Sequence, residues 1–233
     1  MTSIVSIFLL TGLVSGFIAG LLGVGGGIII VPVTYFILLN LGYSSEIVMH
    51  VAVASSLGVI CFTSISSIRS HVKLKNTNLI IVKKWAIGII IGSIAGSIAA
   101  SSISGQSLVI LFVILAFLIS LNMLFQQNPI IVSKDIPSSN IINFLISSSI
   151  GFLIAFPGTL TFMYTGSNIN ELPIYSLGYV NIIIVFFISL TSIFTAGIGA
   201  KVSSNIDKLV LRKIFAIFLL LTCASLIIEH FII

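Results

Sequence analysis

Gly20-Leu21-Leu22-Gly23-Val24-Gly25-Gly26-Gly27-Ile28-Ile29-Ile30-Val31-Pro32 lies inside an apolar segment that carries no charge from Met1 to Ser45. Glycine costs roughly 1 kcal/mol per residue in a helix interior relative to alanine. The four glycines at 23, 25, 26 and 27, with Pro32 five residues beyond, therefore predict an interrupted helix. Close packing of two membrane helices needs only small residues at four-residue spacing, and the run Gly25-Gly26-Gly27 exceeds that need. An unpaired backbone N–H in a bilayer costs several kcal/mol, so a broken helix persists only where it lines a cavity or is buried in protein. Half-helices whose N-terminal ends face an anion are a recurring device of transporters.

The rest of the chain places this stretch in a membrane. Of 233 residues, 58% are hydrophobic and only 6% charged, against about 25% charged in soluble domains. Charge-free runs extend from Trp85 to Ser133 and from Leu172 to Ala200, each longer than the ~20 residues that cross a bilayer. The fold class expected is all-α, a polytopic helical membrane protein with about seven transmembrane segments. The surplus of ten Lys and Arg over five acids sits mainly in two short loops. That is the distribution of the positive-inside rule, so nucleic acid is not an expected partner and the lipid bilayer is. The N-terminus lacks the pattern of a cleaved signal peptide. Cys61 and Cys223 both fall in apolar segments and read as small buried residues rather than a disulfide or a metal pair.

Taken in order, residues 3–23 form a first helix and 28–39 a shorter one, too short to span, so the pair is either re-entrant or one kinked crossing. A helix over 48–68 is rich in hydroxyls, among them Ser55 and Ser56. The loop 69–84 holds Arg69, His71, Lys73, Lys75, Lys83 and Lys84 and is placed in the cytoplasm. Helix 85–103 carries Gly88, Gly92 and Gly96, a small-residue face expected to pack tightly. Helix 107–125 follows after a tight turn, then the polar linker 126–140. Helix 141–163 is expected to be interrupted at Phe156-Pro157-Gly158-Thr159. A basic-free loop over 164–178, helix 179–199, a second basic loop and helix 209–229 complete the chain.

Gly96, Ser101, Ile103, Leu108, Phe112, Ile114 and Leu118 recur 103 residues later as Gly199, Ser204, Ile206, Leu211, Phe215, Ile217 and Leu221. One helical hairpin is thus present twice. Its basic residues precede it in the first copy and occupy its turn in the second, so the copies face opposite sides. The expected organisation is two inverted repeats, 1–127 and 141–233, the second shortened, joined by a linker at 128–140.

Together these stretches resemble the TauE/SafE family of sulfite exporter and sulfonate permease-like transporters. The resemblance rests on Gly16-Phe17-Ile18-Ala19-Gly20-Leu21-Leu22-Gly23-Val24-Gly25-Gly26-Gly27 with Val31-Pro32, and on Ala52-Val53-Ala54-Ser55-Ser56-Leu57 with Ser64 to His71. Leu172-Pro173-Ile174-Tyr175-Ser176-Leu177-Gly178-Tyr179, Gly199-Ala200-Lys201 and Leu211-Arg212-Lys213-Ile214-Phe215 add to it. It implies passage of small sulfur-containing or carboxylate anions across a cell membrane. In one respect the chain departs from the family pattern, in which a second GxGGG segment opens the second half. Here the stretch from Gln127 to Ser147 leaves no room for it. That absence keeps three readings open: a shortened transporter, one completed in a homodimer, or a non-transporting scaffold or inactive remnant.

The candidate anion site is the break itself. Amides at Gly25, Gly26 and Gly27 would open the second helix as a nest, with Gly23 at its edge. Ser55 and Ser56 would add hydroxyl donors, and Pro157 and Thr159 form the nearest matching break in the second half. His50, at the edge of an apolar helix, is either an interfacial residue bonded to a loop or a gating or proton-coupling group. No enzyme constellation is expected, and no cofactor or metal. The expected location is the cell (inner) membrane, multi-pass.

Overall fold

The computed structural model describes residues 2–22, 26–72, 80–125, 140–203 and 208–232. They form eight helices and one two-stranded hairpin: α1 (Thr2–Leu22), α2 (Gly27–Asn40), α3 (Ser45–Val72), α4 (Ile80–Ser102), α5 (Gly105–Phe125), α6 (Asn140–Thr165), β1 (Ser176–Leu177), β2 (Val180–Asn181), α7 (Ile182–Ser203) and α8 (Lys208–Ile232). Seven of the helices are 21 residues or longer, and among the described residues five, α1, α3, α5, α7 and α8, are both long and apolar enough to cross a membrane. The short one is α2, at 14 residues. This is a polytopic helical membrane protein.

At its centre stands α3. Val48, Met49, Val51, Ala52, Ala54, Ser55 and Val59 are all fully buried, and a helix apolar on every side belongs inside a bundle. Around it pack α2, α5, α6 and α7, while α4 rests on α6, α8 on α5 and α1 on α7. The outer helices turn Ile87, Leu118, Phe194 and Leu221 outward, all more than half exposed, as lipid-facing residues should be.

Where helices touch most closely, the sequence supplies glycine. A Cβ on Gly12 would fall on Thr191 Oγ1, one on Gly16 on Thr195 Oγ1, and one on Gly199 on the Phe17 carbonyl. Contacts rise together along both helices, so α1 and α7 run parallel. Thr191 Oγ1 donates across to the Leu9 carbonyl at 2.9 Å. Small residues at four-residue spacing thus act where they let backbones meet, but not where the sequence placed them. At Gly88, Gly92 and Gly96 a Cβ would meet nothing within 4 Å among the described residues. The opposite side of α4, with Ser93 and Ser97, makes the contact with α6. Gly88→Ala and Gly92→Ala are therefore expected to leave folding intact, and to raise thermal stability slightly through helix propensity (about 1 kcal/mol each at most); thermal unfolding in detergent checks this.

A second expectation also needs correction. The helix over Phe156-Pro157-Gly158-Thr159 is not interrupted: α6 is continuous from Asn140 to Thr165 with Pro157 inside it. Proline removes one helical donor and disturbs the carbonyls one turn back. Here Ser93 Oγ on α4 donates to the Ile154 carbonyl, and Thr159 Oγ1 and Thr161 Oγ1 donate to Ala155 and Pro157 carbonyls at 2.7 and 2.9 Å. Ser93 thus supplies a donor from a neighbouring helix to a carbonyl of the turn before Pro157, as neighbouring helices do in membranes.

The stretch 164–178, read as loop, and the start of the next helix contain the β1–β2 hairpin, with Ser176 opposite Asn181 and Leu177 opposite Val180. Gly178, at φ 55, takes the first central position of its turn, where hairpins favour glycine. The hairpin lies against the end of α6: Tyr179 N donates to the Phe162 carbonyl at 3.2 Å.

Candidate functional site

The break in the first apolar segment is real, and Gly26 makes it. Its backbone is left-handed, φ 68 and ψ −11, a conformation that costs a side-chain-bearing residue roughly 1–2 kcal/mol. The Gly26 carbonyl accepts from the Ile29 and Ile30 amides at 3.1 and 3.3 Å, which starts α2, and no side chain caps that start. Helix geometry leaves the first-turn amides, those of Gly27 and Ile28, without intrahelical acceptors. Gly23 and Gly25, also expected in the site, lie outside the described residues.

The position of this helix start matters more than its existence. A Cβ on Gly26 would approach the Ser15 carbonyl at 2.9 Å, two turns before the end of α1. Gly27 lies beside Ser56 Oγ and the Ile60 side chain, roughly halfway along α3. The positive end of the α2 dipole is therefore presented deep within the bundle, not at a membrane surface. Of the two serines, Ser56 is the one beside it. Its Oγ donates to the Val53 carbonyl at 2.8 Å, which leaves the oxygen's lone pairs free to accept and its proton able to switch to an anion.

Thr34 adds an observation that the sequence did not suggest. It is fully buried, and its Oγ1 is a buried side-chain oxygen without a hydrogen-bond partner. Threonine in a helix ordinarily bonds a carbonyl one turn back. Seven residues after Gly27, Thr34 shares the face of α2 on which Gly27 lies. A threonine in the middle of an apolar helix was the available signal.

Ser55 points elsewhere. Its Oγ accepts from the Asn181 amide at 3.0 Å. Asn181 is the organising residue of that corner: its Nδ2 donates to the Ile174 carbonyl and to Ser176 Oγ, both at 3.0 Å, and its Oδ1 accepts from Ile184 N at 3.1 Å. It caps α7 as asparagine commonly caps a helix. Placing that helix start at 179 hid the cap. Asn181→Ala is expected to lower stability by about 1–2 kcal/mol, a cap loss with the Ile174 carbonyl and Ser176 Oγ left short of a donor, measurable as a lowered midpoint of thermal unfolding.

Pro157 and Thr159 sit on a third side of α3. Thr159 Oγ1 lies 3.7 Å from Cys61 Sγ, and Gly158 nestles against Ser93, Ser97 and Leu57. The structure thus joins Gly26 and Gly27 with Ser56, and Thr159 with Cys61 further along α3, while Gly158 between Pro157 and Thr159 meets α4. Cys61 and Cys223 are buried free thiols. Among the described residues, no three His, Cys, Asp or Glu gather as a metal site.

His50 is 3% exposed, with carbonyl oxygens within hydrogen-bond distance of each ring nitrogen. Nδ1 lies 2.9 Å from the Glu46 carbonyl, and Nε2 lies 3.1 and 3.2 Å from the carbonyls of Ala100 and Ile103. The ring stacks on Tyr179 at 4.8 Å between centroids.

With this geometry in place, the comparisons fit it. The family model described as sulfite exporter TauE/SafE matches residues 8–167, more than half of the chain, taking in most of α1, all of α2 to α6 and with them the Gly26 break. The chain belongs to the TauE/SafE family. As a TauE/SafE protein it has one relative that matches nearly its whole length and others that match part of it. A Haemophilus influenzae protein described as a probable membrane transporter is 25% identical over 272 residues, which cover 98% of this chain and 100% of that one. The Bacillus subtilis probable membrane transporter YunE is 32% identical over 120 residues, 52% of this chain and 44% of its own. A probable membrane transporter of Methanocaldococcus jannaschii is 34% identical over 89 residues, 38% of this chain and 30% of its own. The first alignment needs 272 positions to accommodate 98% of a 233-residue chain, so that relative carries stretches this TauE/SafE chain lacks. No solved structure matches it.

Proposed function

We propose that this protein is a secondary transporter of small anions, of the class of sulfite, sulfonates or related carboxylates, in the cell (inner) membrane. The observation that carries the reading is the start of α2 beside Ser56, midway along a buried α3. An anion there would meet the Gly27 and Ile28 amides, the helix dipole and the Ser56 hydroxyl, with the unpartnered Thr34 hydroxyl two turns along the same face. None of these is a fixed charge, which suits a site that must release what it binds. Membership of a transporter family and relatives described as probable membrane transporters support the class of activity.

The inverted-repeat reading belongs to the same proposal. Exchanging α3 with α6, α4 with α7 and α5 with α8 maps most of the observed neighbours onto one another: α3 on α6, α4 on α6 against α7 on α3, and α5 on α8, while α3 on α5 has no counterpart between α6 and α8 among the described residues. Only α1 and α2 lack counterparts, and the uncovered glycines of α4 lie on the helix that answers to α7, the seat of α1. That absence favours the alternative of a non-transporting remnant, or a pair of chains acting together.

Purified protein in proteoliposomes separates these readings. Counterflow of radiolabelled sulfite, a small sulfonate or a small carboxylate above protein-free vesicles is the expected result. No flux of any of the three from correctly inserted, monodisperse protein would favour the remnant.

A further inference from the structure

We propose, on the reading of the α2 start as an anion site, that Ile60 is its specificity-determining residue, the apolar wall that limits the substituent a bound anion can carry. A Cβ on Gly27 would meet Ile60 Cδ1 at 3.0 Å and Ser56 Oγ at 3.7 Å. Cα–Cβ bonds tilt toward a helix's N-terminus, the end where first-turn amides lack acceptors. The Ile60 methyl and the Ser56 hydroxyl therefore stand together off the end of α2, one apolar and one polar. Thr34, fully buried and without a hydrogen-bond partner two turns along the same face, is a second mark of a polar solute beside α2.

The place of Ile60 follows from the one face of α3 left open. From Val48 to Cys61 every residue is buried except Val53, Leu57 and Ile60, which are half-buried. Spacings of four and three put these three on one face. The helices α2 and α6 flank it: both pack on α3, and no comparable packing joins them to each other among the described residues. Leu57 leans to α6, its Cδ1 3.1 Å from where a Cβ on Gly158 would lie. Ser56 leans to α2. Ile60 lies between them and meets both, its Cδ1 at Gly27 and its Cγ2 3.9 Å from where a Cβ on Gly151 would lie. With glycine at both of those positions, the space beside the α2 amides is set by the isoleucine side chain.

A chemical preference follows. The anionic head takes the Gly27 and Ile28 amides and the Ser56 hydroxyl, and whatever the head carries lies against Ile60. A methyl group suits an apolar wall, whereas a longer chain has to displace Cδ1, which is overpacking. One methylene too many in such a pocket costs about tenfold or more in affinity. The expected ligand is a compact anion with a short apolar substituent, methanesulfonate ahead of its longer homologues.

The test uses the full chain in detergent, with the linear alkanesulfonates from methane- to butanesulfonate as probes. Apparent affinity is read from the rise of the thermal midpoint with probe concentration. In the parent it should fall roughly tenfold from methane- to ethanesulfonate. Ile60→Val, which removes only Cδ1, should bring ethanesulfonate level with methanesulfonate, and Ile60→Ala should extend the limit to propanesulfonate. Leu57→Ala, cut from the same face but toward Gly158, should keep the parent's limit. Ile60→Val decides the matter even if the alanine variants do not fold. An unchanged limit in Ile60→Val, a limit relaxed equally by Leu57→Ala, or no stabilisation of the parent by any probe overturns the inference. Probes that stabilise the protein but are not carried into proteoliposomes would end the transport reading and leave the role of Ile60 standing.

Discussion

Gly26→Leu is expected to abolish anion flux in proteoliposomes while the protein still inserts and purifies as a monodisperse species. Two costs fall on that position. The left-handed backbone is strained by roughly 1–2 kcal/mol for any residue with a Cβ, and that Cβ would approach the Ser15 carbonyl at 2.9 Å. Neither exceeds the ~5–15 kcal/mol by which domains are stable. Both move the first turn of α2, and the proposed site is that turn. Gly42 supplies the control: it has the same handedness, φ 85, but a Cβ there meets nothing within 4 Å. Gly42→Leu should lose a similar increment of stability and retain flux. Wild-type flux in Gly26→Leu, or equal loss in both variants, would remove the break from the mechanism.

Gly16→Leu should prevent the protein from accumulating as a folded species. A Cβ there meets Thr195 Oγ1 and, at 2.5 Å, the Cα and carbonyl oxygen of Ser192. A rotamer change does not clear backbone atoms, so α1 would have to leave α7. Overpacking typically costs 1–3 kcal/mol where side chains can yield, and here more is expected. With it goes the position of Ser15, against which Gly26 closes. Size-exclusion chromatography and thermal unfolding read the result, with Gly92→Leu as the same substitution on the open face of α4. Gly92→Leu should unfold within about 1 kcal/mol of the parent; equal damage by both would mean that glycine spacing, not observed contact, governs this fold.

The contrast between these glycines shows how far residues alone lead. Gly12, Gly16, Gly88, Gly92 and Gly96 have the same four-residue spacing, and only the first two carry a neighbouring backbone. Pro157 has the same chemistry as any helix-breaking proline, yet α6 passes through it because Ser93, on another helix, is in reach of Ile154. The Gly26 break survives for the opposite reason: a left-handed residue cannot continue a right-handed helix whatever stands beside it. Local steric rules were legible. Who supplies a donor was not.

The sequence by itself determined that this chain lives in a bilayer, that its helices start and stop close to where they do, and that its first apolar segment parts at glycine. Each follows from hydropathy over ~20 residues or from backbone sterics within a few. The tertiary structure alone decided that α2 begins halfway along α3, that Ser56 rather than Ser55 stands beside it, and that Thr34 is left without a partner. It also put Glu46 and His50 on the ends of α4 and α5. These are relations between segments far apart in the chain, fixed by how helices pack, and no periodicity within one segment encodes them.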